Sequence, residues 1–291
     1  MPKTAIVSDT LTEIPKEMAA EYGVRLIPLY ITLDDRSYPE NEIDLEWYYS
    51  QTPKWKAEGK MPLTSSIPVG TFLETFRELS VEADAIMYIG HSSKFGMSVT
   101  SAMQAKEQLK NELPKTRIEV IDSLTVCGAL MLIVIEAARR ALAGSHIEDI
   151  VNVTTNMVKK VHYTVLIDDL SLLAKGGRIH RARPWADSKV TNTALLEASY
   201  STAGQMTPMA RYKTRPKALE SLFDIVKDRS GEDALHVSIN CTSASFSDAE
   251  QLREVVYSRL NCREVFLTKI YPLVVNHVGV EPVHFSWWGG K

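Results

Sequence analysis

Cysteine is scarce in this sequence: Cys127, Cys241 and Cys262 are the only three in 291 residues. An odd, sparse set with no CxxC pair excludes a disulfide framework and fits a reducing compartment. HExxH and HxxxH are missing as well, so spacing along the chain offers no metal-ligand set, and neither a metal nor a cofactor is expected. Charge of one sign is also lacking. Thirty-three basic residues face 36 acidic ones, for a net charge of −3, which gives no electrostatic case for nucleic acid. No long apolar run exists. The longest, Cys127 to Ala138, is interrupted by Glu136 and is too short to cross a bilayer, so stable membrane insertion is not expected. Met1 to Asp9 has no apolar core or cleavage site of a signal peptide, and a cytoplasmic protein is expected. Walker A and GxGxxG are absent, which leaves nucleotide binding without a motif. Gly90-His91-Ser92-Ser93-Lys94 lacks the second glycine of a nucleophile elbow, so no catalytic residues are assigned and a non-enzyme is expected.

The sequence has 45% hydrophobic and 24% charged residues, ordinary for a folded globular chain. Its length exceeds one typical core, and two domains are expected. The first half alternates strand and helix patterns. Thr4–Val7 reads as a strand, Ile14–Tyr22 as a helix, Val24–Leu33 as one strand and Ala85–Gly90 as another. Val99–Leu113 is helical, Arg117–Ile121 a strand and Gly128–Ala143 a long apolar helix. Such alternation predicts a doubly wound, mostly parallel α/β sheet. Beyond Gly144 the texture shifts to helices and short strands of the α+β kind. The boundary falls near residue 155, giving domains 1–155 and 156–291. Thr52 to Gly59, with Pro53 and Trp55, reads as a surface excursion. The apolar run Pro272–Val275 reads as a strand with His277 just after it.

Ligands in open α/β sheets bind beyond the carboxyl ends of the strands. Hydroxyl-rich loops occur there: Ser8-Asp9-Thr10, His91-Ser92-Ser93 and Asp122-Ser123. A fourth cluster, Thr64-Ser65-Ser66, precedes Pro68. Together they suit an anion or carboxyl group, although each alone also reads as a helix cap. Gly176-Gly177-Arg178 fits a helix C-terminus, and the arginines from Arg178 to Arg183 fit a solvated basic loop. A lone histidine after a strand, as His277 reads, is more often a structural hydrogen-bonder than a ligand residue. His91 abuts the Ser92 loop with no triad spacing around it.

These pieces together resemble the DegV family over nearly the whole chain. The resemblance rests on Ile6-Val7-Ser8-Asp9-Thr10, Pro28-Leu29-Tyr30-Ile31-Thr32 and Thr64-Ser65-Ser66-Ile67-Pro68-Val69-Gly70. Further support comes from Ser92 to Ser98 with Ser101-Ala102, Val120-Ile121-Asp122-Ser123, Leu173 to Ile179, and Arg211 to Leu219. It implies one long-chain fatty acid in a tunnel between the two domains, and in some members presentation of the carboxyl group to a separate fatty-acid kinase. Carried over by motif, Thr64 and Ser93 hydrogen-bond the carboxylate, with Thr10, Ser65 and Ser92 close by and His277 in the family's H-T-G-P-G position. Arg178, Arg211 and Arg215 match basic positions where a kinase subunit would dock. The departures are His277-Val278-Gly279-Val280-Glu281, which loses a threonine and adds a carboxylate, and Met97 in place of a glycine.

A fatty acid needs a long apolar tunnel with a few polar groups at one end. Leu130–Ile135 and Thr164–Ile167 are tunnel candidates, with plain core packing as the alternative. Two other functions compete. One is an enzyme, either an acyl hydrolase or a phosphotransferase, since the DegV fold is similar to part of dihydroxyacetone kinase, where a histidine holds the substrate. The other is a regulatory protein-binding module with no ligand.

Overall fold

A computed structural model describes residues 3–186 and 193–289; Met1, Pro2 and Lys291, the outer residues of the readings above, lie outside them. Through residue 122 the chain runs β1 (Thr4–Asp9), α1 (Lys16–Glu21), β2 (Val24–Ile27), β3 (Tyr30–Leu33), β4 (Arg36–Pro39), α2 (Leu45–Ala57), β5 (Leu63–Ser65), α3 (Val69–Ser80), β6 (Ala85–Gly90), α4 (Ser98–Leu109) and β7 (Arg117–Asp122). Then come α5 (Cys127–Leu142), α6 (Ile147–Val158), β8 (His162–Ile167), α7 (Ser171–Lys175), α8 (Arg183–Ala186), β9 (Thr193–Glu197) and β10 (Thr207–Tyr212). The remainder is α9 (Arg215–Ser230), β11 (Leu235–Cys241), α10 (Phe246–Arg259), β12 (Cys262–Lys269), α11 (Pro272–Val278) and β13 (Val283–Gly289).

Strands β2, β1, β6 and β7 pair in that order, all parallel. This is the doubly wound sheet expected from the alternation. The chain leaves β1 toward β2 and returns on its other side at β6, so the strand order reverses between β1 and β6. Such a reversal opens a crevice at the carboxyl ends. A mixed sheet follows in the order β10-β9-β8-β13-β11-β12. Its central strand is β13, antiparallel to both β8 and β11. Phe285-Ser286-Trp287-Trp288 lies in this strand, with Trp287 fully buried.

Helix α5 lies between the two sheets and touches β1, β8, β11 and β13. Cys127 to Ile135 are all buried, as a helix apolar on every side demands. Gly128 makes the approach to β11 close: a Cβ there would fall 2.5 Å from Ser238 Oγ and from Asn240 Oδ1. Helices α9 and α10 cover the other face of the mixed sheet, around Leu222, Val226, Leu252 and Val256.

Three local readings change. Val24–Leu33 is two strands in two sheets, because Pro28 cannot donate to a ladder; β3 instead centres an antiparallel sheet β4-β3-β5. Residues 52–57 continue α2 despite Pro53. There Trp55 packs edge-on against Tyr48 at 5.1 Å and Thr52 donates to Tyr48 O, which offsets the missing backbone bond. Pro272–Val278 is a helix, with Pro272 in its first turn as proline prefers.

Candidate functional site

A narrow cavity of about 60 Å³ opens at the carboxyl ends of β1, β2 and β6. One water needs roughly 10–15 Å³ of such space, so the cavity exceeds a single water. Leu11, Leu29 and His91 come from the loops after those strands, and Val126 and Cys127 from the start of α5. Tyr163, Leu173, Met206, Leu273, Val274 and Val278 come from later in the chain. Thr64, Ser65, Ser66, His91, Arg178 and His277 supply polar lining.

His277 sits near the end of α11, where the imidazole is buried. Neither ring nitrogen has a partner among the described residues. Burial, with Arg178 close by, lowers its pKa to about 4, so the ring is neutral at pH 7 and keeps one N–H donor unused. Gly176 permits this placement: a Cβ there would lie 2.3 Å from His277 Nδ1. Thr64 and Ser65 close β5, and no hydroxyl bond ties either one to a described residue. Ser66 Oγ accepts from Met97 N at 2.9 Å. Arg178 donates to Gly176 O at 2.6 Å and turns its guanidinium toward the same end.

His91 is the residue that reasoning along the sequence missed. It lies at the end of β6, across the crevice from Asp9 at the end of β1. Its Nδ1 is 2.9 Å from Asp9 Oδ2, and Asp9 also accepts from Tyr88 Oη at 2.7 Å and Leu11 N at 3.1 Å. Burial opposes both charges. The attraction between the two groups prevails, holding Asp9 below and His91 above their usual ranges. The His91 ring, held by Asp9, lines the cavity.

Two buried carboxyls anchor α11. Glu40 accepts from Leu273 N at 3.0 Å and from the Thr10 hydroxyl; Glu13 accepts from Tyr271 N at 3.2 Å. Both thus bind amides at the start of the helix that carries His277. Burial raises Glu40 to about 7, against the bonds from Thr10 and Leu273, and pushes Glu13 well above the usual carboxyl range.

The hydroxyl candidates therefore divide. Thr64 and Ser65 reach the cavity with His277. Thr10 holds Glu40 and accepts from Leu29 N. Ser92 is fully buried and donates to Gly204 O at 3.0 Å, sewing two loops together. Ser93 is half-buried beside the cavity, its N–H on Asp122. Arg211 stacks on Trp185 at 4.8 Å and donates to its carbonyl. Arg215 binds Asp168 at 2.7 Å, Asp248 at 2.5 Å and Glu281 O at 2.7 Å. The Glu281 side chain is exposed and lies outside the cavity lining. Leu130–Ile135 and Thr164–Ile167 do not line it either. Leu130–Ile135 are buried in α5 and Thr164–Ile167 form part of β8, and from these stretches of chain only Val126, Cys127 and Tyr163 reach the cavity.

The model of the DegV family, described as uncharacterised proteins, matches residues 3–287. The chain belongs to the DegV family. A DegV domain-containing protein of Caldanaerobacter subterraneus is 30% identical over 229 residues, 78% of each chain. Two solved structures show the same fold. A DegV family protein of Thermus thermophilus, described for its fatty acid binding, superimposes with a TM-score of 0.89 at 21% identity, covering 99% of this chain and 100% of its own. A DegV family protein of Eubacterium eligens loaded with heptadecanoic acid gives 0.83 at 18% identity, over 99% and 100%. Among the described residues no helix of this DegV chain is long and apolar enough to cross a membrane.

Proposed function

We propose that this DegV protein binds one long-chain fatty acid, with its carboxyl group at the Thr64–His277 end and its chain running between Leu11, Val126, Leu173 and Met206. The division of the chain into domains 1–155 and 156–291, with the tunnel between them, belongs to the same proposal. The observation that carries it is His277, a buried, neutral imidazole with no partner, at the polar end of an otherwise apolar cavity. A buried donor without a partner costs about 1–3 kcal/mol; a ligand carboxylate removes that cost. Thr64, Ser65 and the His91 ring line the same cavity and supply further hydrogen-bonding groups, so the carboxylate is held without a surface lysine. The cavity is shorter than a full acyl chain, and rotation of the lining Leu, Met and Phe side chains admits the rest.

The protein acts as a carrier rather than a catalyst. The His91 Nδ1 is taken up by Asp9, and the Ser92 hydroxyl is committed to Gly204 O. Arg178 stands at the carboxyl end, so presentation to a separate fatty-acid kinase would occur there. Denaturing extraction of protein purified from a bacterial host, followed by mass spectrometry, tests the reading. One fatty acid per chain is expected. An empty protein that also refuses added palmitate would overturn it, as would multiple turnover of an acyl ester lost in Ser92→Ala.

A further inference from the structure

Behind the cavity wall, three residues far apart in sequence meet. Glu13 follows β1, Cys127 opens α5 and His284 lies in β13. The carboxylate, thiol and imidazole atoms all lie within 4.8 Å of one another, and each residue is at most 1% exposed. Both His284 ring nitrogens have no hydrogen-bond partner among the described residues, and the Glu13 carboxyl lies against the Cys127 thiol. Oε1 of that carboxyl is fixed by Tyr271 N, which aims Oε2 inward as an outer-shell bond aims a metal ligand. Glu13 and Cys127 both have positive φ, 56° and 51°, a conformation that costs a non-glycine residue energy and that the surroundings impose. Tyr163 closes the side toward the cavity, its ring edge-on to His284 at 5.5 Å and its hydroxyl against Cys127 Sγ.

We propose that Glu13, Cys127 and His284 form a buried zinc-type metal site that ties the first sheet, α5 and the mixed sheet together behind the cavity. Sulfur and imidazole donors select zinc and its neighbours over magnesium and calcium, which want oxygen alone. Charge agrees. A carboxylate and a thiolate bring two negative charges and a neutral imidazole none, so one divalent cation leaves the site neutral in the core. A lone buried ion would be far costlier. Bond lengths of about 2.0–2.3 Å place ligand atoms roughly 3.3–3.8 Å apart in a tetrahedral site, so atoms now up to 4.8 Å apart close in by at most about 1.0–1.5 Å. No spacing rule could find this set, because its members are separated by more than a hundred residues.

The test is reconstitution by refolding, which removes slow entry as a confounder. The full chain is refolded with Zn²⁺ or Co²⁺, desalted, and assayed for bound metal by mass spectrometry and for thiolate-to-cobalt charge transfer in the near ultraviolet. One ion per chain is expected in the parent and in Cys262→Ser, with at least tenfold loss in the near-isosteric Cys127→Ser and Glu13→Gln. Zinc-edge X-ray absorption on the parent needs no variant; it should show one sulfur and two light atoms at roughly 2.0–2.3 Å. A parent that binds no metal, a spectrum without sulfur, or a charge-transfer band that survives Cys127→Ser would overturn the proposal.

Discussion

Replacing Glu40 by glutamine should change how stability depends on pH, and the structure sets the size of the effect. Glu40 is fully buried, and its pKa rises from 4.5 to about 7. The folded state therefore holds the proton more tightly than the unfolded chain does. Its contribution to stability is complete below about pH 4.5, falls as pH rises through 7, and is then gone; the whole span amounts to about 3 kcal/mol. Glutamine keeps an acceptor for Leu273 N and cannot ionise. The stability of Glu40→Gln minus that of the parent should thus rise by about 3 kcal/mol between pH 4.5 and 8. Urea unfolding at steps across this range, in metal-free buffer and followed by fluorescence and circular dichroism, measures the difference. Taking variant minus parent cancels the titration of every other group to first order. A difference that stays flat to within about 0.5 kcal/mol would refute the assignment of Glu40 as a protonated anchor of α11.

Thr64→Val should weaken fatty-acid binding by about 1–2 kcal/mol, a hydroxyl donor to a charged acceptor, with the melting temperature unchanged; calorimetric titration reads the first and thermal unfolding the second. Affinity should grow with acyl length by about fourfold per methylene, the equivalent of about 0.8 kcal/mol each, and stop growing where the chain meets the Cys127–Tyr163 wall; competition binding of a saturated series shows where the break falls. Arg215→Ala should lower stability by about 1–3 kcal/mol, because Asp168 and Asp248 lose their shared partner, while fatty-acid affinity stays within about twofold; unfolding and binding assays on one preparation separate the two effects.

The parallel sheet was legible because its strands and helices alternate and its strand ends are marked by Ser8-Asp9-Thr10, His91-Ser92-Ser93 and Asp122-Ser123. Thr64, Ser65 and His277 were named from their resemblance to family motifs, and the fold puts all three in the lining of one cavity. The Asp9–His91 pair was not legible, since it exists only once β1 and β6 lie side by side; neither residue announces the other from 82 positions away. Nothing in the sequence marks Glu13 or Glu40, because burial of a carboxyl depends on what later folds over it, here α11. That helix was itself misread. Four apolar residues between Pro272 and Val275 carry no period that separates strand from helix. The hydroxyls of Thr10 and Ser92 had the right chemistry for a ligand, yet Glu40 and Gly204 O claim them first.

The place of β13 bears on how the molecule comes into being. It is made after every other described strand of its sheet, yet it lies between β8 and β11. Until synthesis passes residue 289, the nascent chain can pair β8, β9 and β10 on one side and β11 with β12 on the other, with two bare inner edges between them. Bare edges recruit other chains. On a ribosome making roughly 5–20 residues per second, the parallel sheet has time to form first while the mixed sheet waits for its centre. A stalled or nicked chain lacking these seven residues would fail not by losing an end but by splitting a sheet in two.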